Sequence, residues 1–171
     1  MEPKKNYLIG LTPDSIIGVV NKLQAQSFPE PIPPLTECDY TKLSSALKTP
    51  FQRPIQSTFE NDFCEKSALM FCLLIENHAF SNGNKRIAVA CLHTLADIND
   101  LRIDISNIKL YALAMSVTLL AKYHLFTEAV FEIKTAIKDA LRKKPGPSIN
   151  KREMQLLKDE FLQFLKQKNA T

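Results

Sequence analysis

Tryptophan is absent from this chain, glycine occurs only four times in 171 residues, and no apolar run is long enough to span a membrane. A membrane-spanning class is therefore excluded, and no basic-then-apolar segment of the signal type is found. The four cysteines, at 38, 64, 72 and 91, show no metal-type spacing. Three of them sit in apolar helical segments, so they read as buried free thiols suited to a reducing cytoplasm. His93 and His124 have no partner spacing of the zinc kind. His93 reads as a satisfied structural histidine, and His124 as a helix-end residue facing solvent or a dipole. No aromatic-rich basic strand offers a stacking platform, so nucleic-acid binding is not expected. There is no internal repeat, and no alternating strand pattern exceeds a few residues.

What is present is a helical pattern. Hydrophobic residues at 45% fit a soluble globular protein, and the length suits one domain with a real core. Thr12-Pro13 opens a first helix that runs to about Ser27, with Ile16, Ile17, Val20 and Leu23 on one face. Pro29, Pro31, Pro33 and Pro34 make an extended connector. Residues 39–48 form a short helix. Residues 49–61 hold two helix-breaking prolines and read as an irregular or hairpin-like flap. Helices follow over about Asp62–Asn77, Asn84–Ile98, Ser106–Lys122 and Thr127–Arg142, with an alternating connector at Leu101–Ile105. Ile108, Tyr111, Met115 and Leu119 supply the apolar stripe of the helix opened by Ser106. Pro145-Gly146-Pro147 stops the chain before a last helix, Ser148 to about Lys168. The net charge is +4, and from Thr135 onward nine Lys/Arg face four Asp/Glu, which reads as a solvated helix surface. The fold class is all-α.

Between two apolar helices lies His78-Ala79-Phe80-Ser81-Asn82-Gly83-Asn84-Lys85-Arg86, too polar to be buried for packing alone. His78 can accept a proton near neutral pH. Phe80 is the one large apolar residue and should plug into the core. Gly83 permits a positive φ or the close approach of a ligand. Asn84 to Arg86 open a helix, whose N–H groups and dipole favour an anion. Arg86 can grip a phosphate with two donors, and Lys85 adds a point charge. A base, an anion cradle and a basic clamp suit transfer of a phosphate-containing group to a hydroxyl.

The run His78-x-Phe80-x-Asn82-Gly83-Asn84-Lys85-Arg86 resembles the signature of the Fic/Doc (Fido) family, and its Asn-Lys-Arg ending is closer to the Doc, or death-on-curing, branch. Leu43-Ser44-Ser45-Ala46-Leu47 with Pro50 resembles the segment before that family's target-docking flap. The resemblance implies a Fido-type helical bundle with a central helix-loop-helix active site and a small flap hairpin. Residues 1–144 would form this domain, and residues 145–171 a C-terminal helix that completes it or binds a partner. It implies His78 as the base, and Gly83, Asn84, Lys85 and Arg86 as the nucleotide- and phosphate-binding set. Arg53, Ile55 and Gln56 would lie in the flap that pairs with an extended segment of a protein target. The family usually has Asp or Glu where this chain has Asn82, which could still hold Mg²⁺ weakly through its carbonyl. ATP or another nucleoside triphosphate is the implied substrate with Mg²⁺. The expected reaction is phosphoryl transfer to a Ser, Thr or Tyr hydroxyl of a protein in the cytoplasm, with an antitoxin as a further partner. Adenylyl transfer and a non-catalytic Fido domain are the alternatives. Ser148 and Glu153 stand five apart, one position off the family's inhibitory-helix pattern.

Overall fold

The computed structural model describes residues 7–26, 29–54 and 56–144. Ile55 of the expected flap and the expected last helix lie outside them. Six helices carry the fold: α1 (Pro13–Gln24), α2 (Tyr40–Lys48), α3 (Phe59–Glu76), α4 (Asn84–Ile98), α5 (Asn107–Lys122) and α6 (Phe126–Ala140). Two three-residue strands, β1 (Leu101–Ile103) and β2 (Leu141–Lys143), pair antiparallel. The described residues are therefore mainly helical, with one small two-stranded piece among them.

Local chemistry explains most boundaries. Thr12 caps α1 through the Ser15 N–H while Ser15 reaches back to the Thr12 backbone, and Pro13 takes the first turn. Asp39, Thr58 and Ser106 cap α2, α3 and α5 in the same side-chain-to-backbone manner. α3 is the centre. It packs against α2, α4, α5 and α6, and its Phe63, Met70, Phe71 and Ile75 are buried. α1 lies on α4 and α2. The N-terminal segment is tied down by buried Asn99, whose side chain accepts from the Ile9 N–H and donates to the Ile9 and Leu95 carbonyls.

Three details differ from the pattern read in the sequence. The hairpin is not in the flap: the described residues of 49–58 form a 3₁₀ turn (Thr49–Phe51) and irregular chain, with no strand among them. The pairing instead joins the alternating connector after α4 to the tail of α6. Leu101 and Ile103 are buried on one side of it, and α6 stops at Ala140 because the next residues take up that ladder. The third difference is α5. Its buried face is Leu110, Ala114 and Val117, while Ile108, Tyr111, Met115 and Leu119 are exposed. Helix α5 is apolar nearly all round, so periodicity offers two stripes and the neighbours choose one.

Cys64, Cys72 and Cys91 are buried free thiols, and Cys38 is half-buried. Burial pushes Cys72 and Cys91 up to about 12, with the charges of Glu76 and Glu132 adding to the effect at Cys72. Both thiols are therefore inert packing groups. His93 meets Asn107 Oδ1 at 3.2 Å, a structural contact, and His124 is exposed in the turn between α5 and α6.

Candidate active site

Helix α3 ends at Glu76, with Asn77 as its C-cap. His78 follows at φ +47°, the left-handed conformation in which helices commonly terminate. That turn takes the imidazole off the helix and leaves it exposed. The stretch is pinned to α2 on two sides. Asn77 Nδ2 donates to the Lys42 carbonyl at 3.2 Å, and the Asp39 N–H donates to the Ala79 carbonyl at 2.7 Å. Phe80 is 2% exposed and sits in the core. Asn84 closes the loop on itself. Its Oδ1 accepts from the Phe80 N–H at 3.1 Å, and its Nδ2 donates to the Phe80 carbonyl at 2.7 Å.

Gly83 stands at φ +83° as the N-cap of α4, which carries no side-chain cap. Two constraints select glycine there. The conformation is costly for other residues, and a Cβ would stand 2.7 Å from Ile32 Cγ1 of the proline-rich connector. With no capping side chain, the first N–H groups of α4 have no intrahelical acceptor and carry the positive end of the helix dipole.

His78, Ser81, Asn82, Gly83, Asn84, Lys85 and Arg86 line one cleft of about 740 Å³. The fold thus brings together the base, the glycine, the asparagines and both cations read from the sequence. The Asn84 side chain bonds the Phe80 backbone, beside the backbone N–H groups that open α4. The described flap residues Arg53 and Gln56 are not among those lining this cleft. They border a separate concavity of about 560 Å³, together with Asp62 and Lys66.

Three residues of this region escaped the sequence reading. Tyr111 lines the cleft; its place in an apolar stripe made it look like core. Glu30 lines it from the connector, and Asn82 Nδ2 donates to its Oε2 at 3.2 Å. No local signal in a run of prolines marks such a residue. Glu76, the last residue of α3, has a buried Oε1 without a hydrogen-bond partner among the described residues. Burial raises its pKa above the ordinary carboxylate range, and the charges of His78 and Lys85 offset only part of that rise. A carboxyl group thus lies within electrostatic reach of both the imidazole and the lysine. Its position at the end of an apolar helix, two residues before His78, was the available clue.

No group of three or more His, Cys, Asp or Glu with metal-site geometry occurs among the described residues. The residues lining the cleft include the Glu30 carboxylate, the Asn82 carbonyl and the Ser81 and Tyr111 hydroxyls as oxygen groups. Mg²⁺ keeps several waters and is usually held by one or two carboxylates plus substrate phosphates, so this sparse set fits it when a triphosphate is also bound.

A family model described as the Fic/DOC family matches residues 11–96, which include the whole cleft loop and α4 up to Ala96. Among solved structures, the chain is similar to the N-terminal Fic domain of a cell filamentation protein, a VirB-translocated Bep effector protein, from Bartonella quintana. The identity is 21% and the TM-score 0.43, over 71% of this chain and 51% of that one. The chain thus spans about half the length of that structure. No curated protein matches.

Proposed function

The chain belongs to the Fic/DOC family of transferases, and from that premise we propose that it moves the γ-phosphoryl group of a nucleoside triphosphate to a hydroxyl of a protein. One observation supports this reading most: an exposed imidazole and two cationic side chains share a cleft with the uncapped start of a core helix. The triphosphate lies along the N–H groups of α4, with Lys85 and Arg86 on its oxygens. His78 takes the proton of the target hydroxyl as its oxygen attacks the γ-phosphorus. The bond from that phosphorus to the bridging oxygen breaks, and a nucleoside diphosphate leaves. Mg²⁺, when bound, would supply positive charge to the phosphate oxygens. Glu30 and the Asn82 carbonyl are the protein groups that would hold the ion.

The target presents its hydroxyl from an extended segment laid beside the flap that carries Arg53 and Gln56. Backbone pairing of that kind needs little of the target's sequence. The Asn84-Lys85-Arg86 ending supports extending the proposal to a Doc-like toxin role, with an antitoxin as the controlling partner in the cytoplasm.

The test is transfer of label from ATP to candidate target proteins. Label from the γ-phosphate is expected in protein. Label only from the α-phosphate would replace phosphoryl by adenylyl transfer, and label from neither would leave a binding domain without chemistry. His78→Ala should keep the helical circular dichroism of the parent and lose transfer by about 10²–10⁴-fold. Undiminished transfer by that variant would remove His78 as the base.

A further inference from the structure

We propose that Glu30 is the metal-binding carboxylate of the cleft and that Asn82, besides offering its carbonyl, positions it through its amide nitrogen; this rests on the reading of the cleft as a triphosphate site. The observation behind it is a pair of hydrogen bonds from one nitrogen. Asn82 Nδ2 donates to Glu30 Oε2 at 3.2 Å and to the Pro31 carbonyl at 3.4 Å. Both partners can only accept, so the NH₂ end of the amide must face the connector. Asn82 therefore uses its donor to hold a carboxylate that arrives from 52 residues upstream.

The connector presents Glu30 in a restrained way. Pro29 and Pro31 flank it and fix φ on either side. Ile32 sits against Gly83, and its carbonyl accepts from Gln24 Nε2 at 3.2 Å. The segment is thus fastened to α1 and to the cleft loop next to Glu30, so little chain entropy is left to lose when a ligand engages it.

Charge decides what such a ligand is. Glu30 lines the same cleft as Lys85, Arg86 and the start of α4. A bare carboxylate there repels the phosphate oxygens that those groups attract. A divalent cation shared between carboxylate and phosphate turns that repulsion into attraction, and a hard cation prefers oxygen donors of this type. The asparagine then has a physical reason. A second carboxylate at position 82 would meet Glu30 as a like charge, whereas an amide can draw it in.

The experiment is calorimetric titration of ATP into the full chain, with Mg²⁺ and with EDTA, for the parent, Glu30→Gln, Asn82→Asp and the double variant. Mn²⁺ binding, read by water-proton relaxation without any turnover, runs in parallel. In the parent, Mg²⁺ should tighten ATP binding. In Glu30→Gln that gain and the Mn²⁺ signal should each fall by about tenfold or more, with metal-free ATP affinity kept or raised. Asn82→Asp, which offers the cation a second carboxylate, should keep or strengthen the gain. Combining it with Glu30→Gln should restore the gain that Glu30→Gln loses, because the amide and the carboxylate then exchange places. Glu30 is exposed, so its exchange for glutamine leaves the fold intact, as circular dichroism will show. An undiminished Mg²⁺ gain in Glu30→Gln would overturn the assignment while leaving the nucleotide reading in place. No ATP binding by the parent under either condition would overturn both.

Discussion

At the N-terminal end of α3 the flap is held by a carboxylate; at its C-terminal end the cleft loop is held by a buried ring and an amide. Asp62, 7% exposed, accepts from the Gln56 N–H at 2.9 Å, the Ser57 N–H at 3.1 Å and the Ser57 hydroxyl at 2.6 Å. Lys66 stands 3.7 Å from it and donates to the Arg53 carbonyl at 2.7 Å. The cleft loop instead depends on Phe80 in the core and on Asn84 bridging the Phe80 backbone. Neither of those anchors titrates. The two inner anchors of the cleft loop are neutral, and the flap is tied by a charge.

The sharpest way to break the contrast is to remove the ring. Phe80→Ala leaves a hole in the core and should cost about 3–5 kcal/mol in denaturant unfolding. Nucleotide affinity should fall with it, because the path from His78 to Gly83 loses its fixed point. A smaller effect is expected at Gly83. Gly83→Ala forces a Cβ into the left-handed region and onto Ile32, for a loss of about 2 kcal/mol. Adding Ile32→Ala should return the steric part and leave the backbone part.

The flap should answer to acid through Asp62. Burial alone would raise the Asp62 pKa, but the Ser57 hydroxyl, the Gln56 and Ser57 N–H groups and Lys66 outweigh it, and the net shift is downward. A lowered folded pKa means that the carboxylate contributes stability above the ordinary aspartate value, near 3.9. That contribution is lost as pH falls from there through the lower folded value. Asp62→Asn should cost about 1–2 kcal/mol at neutral pH and flatten the acid limb of the unfolding curve. Amide exchange at Gln56 and Ser57 should speed up in the variant, while exchange at Phe80 stays slow. Equal loss at both loops would mean that the two are one cooperative unit.

How much of this was legible follows from the kind of signal each element carries. Phe80 and Gly83 could be read because their environments are local: a single large apolar residue in a polar loop must go inward, and a glycine before a helix start marks a special φ. The caps at Thr12 and Ser106 were readable for the same reason. Asn84 was read as part of the anion site; that its side chain also bonds the backbone four residues away is invisible in spacing alone. Glu30 could not be found, since its role depends on where a proline-rich connector runs in space. Strands β1 and β2 are three residues each, too short for alternation to outweigh helical continuation through Arg142.

Helix α5 gives the smallest and most discriminating prediction. Both faces are apolar, and sequence periodicity favoured Ile108, Tyr111, Met115 and Leu119 as the buried one. Packing against α4 and α6 instead buries Leu110, Ala114 and Val117, and leaves Ile108 86% exposed. Ile108→Ser should therefore change stability by less than about 0.5 kcal/mol, as exposed substitutions generally do. Leu110→Ala, two positions on, should cost about 2–5 kcal/mol. A large loss from Ile108→Ser in the isolated chain would mean that something covers that stripe, and a small loss from Leu110→Ala would mean that the helix is rotated. Tyr111 belongs to the exposed set but borders the cleft, so Tyr111→Ala should behave like Ile108→Ser in unfolding and differ from it in nucleotide affinity. A change seen in affinity alone would tie that face of α5 to the ligand, a link that helical periodicity by itself obscures.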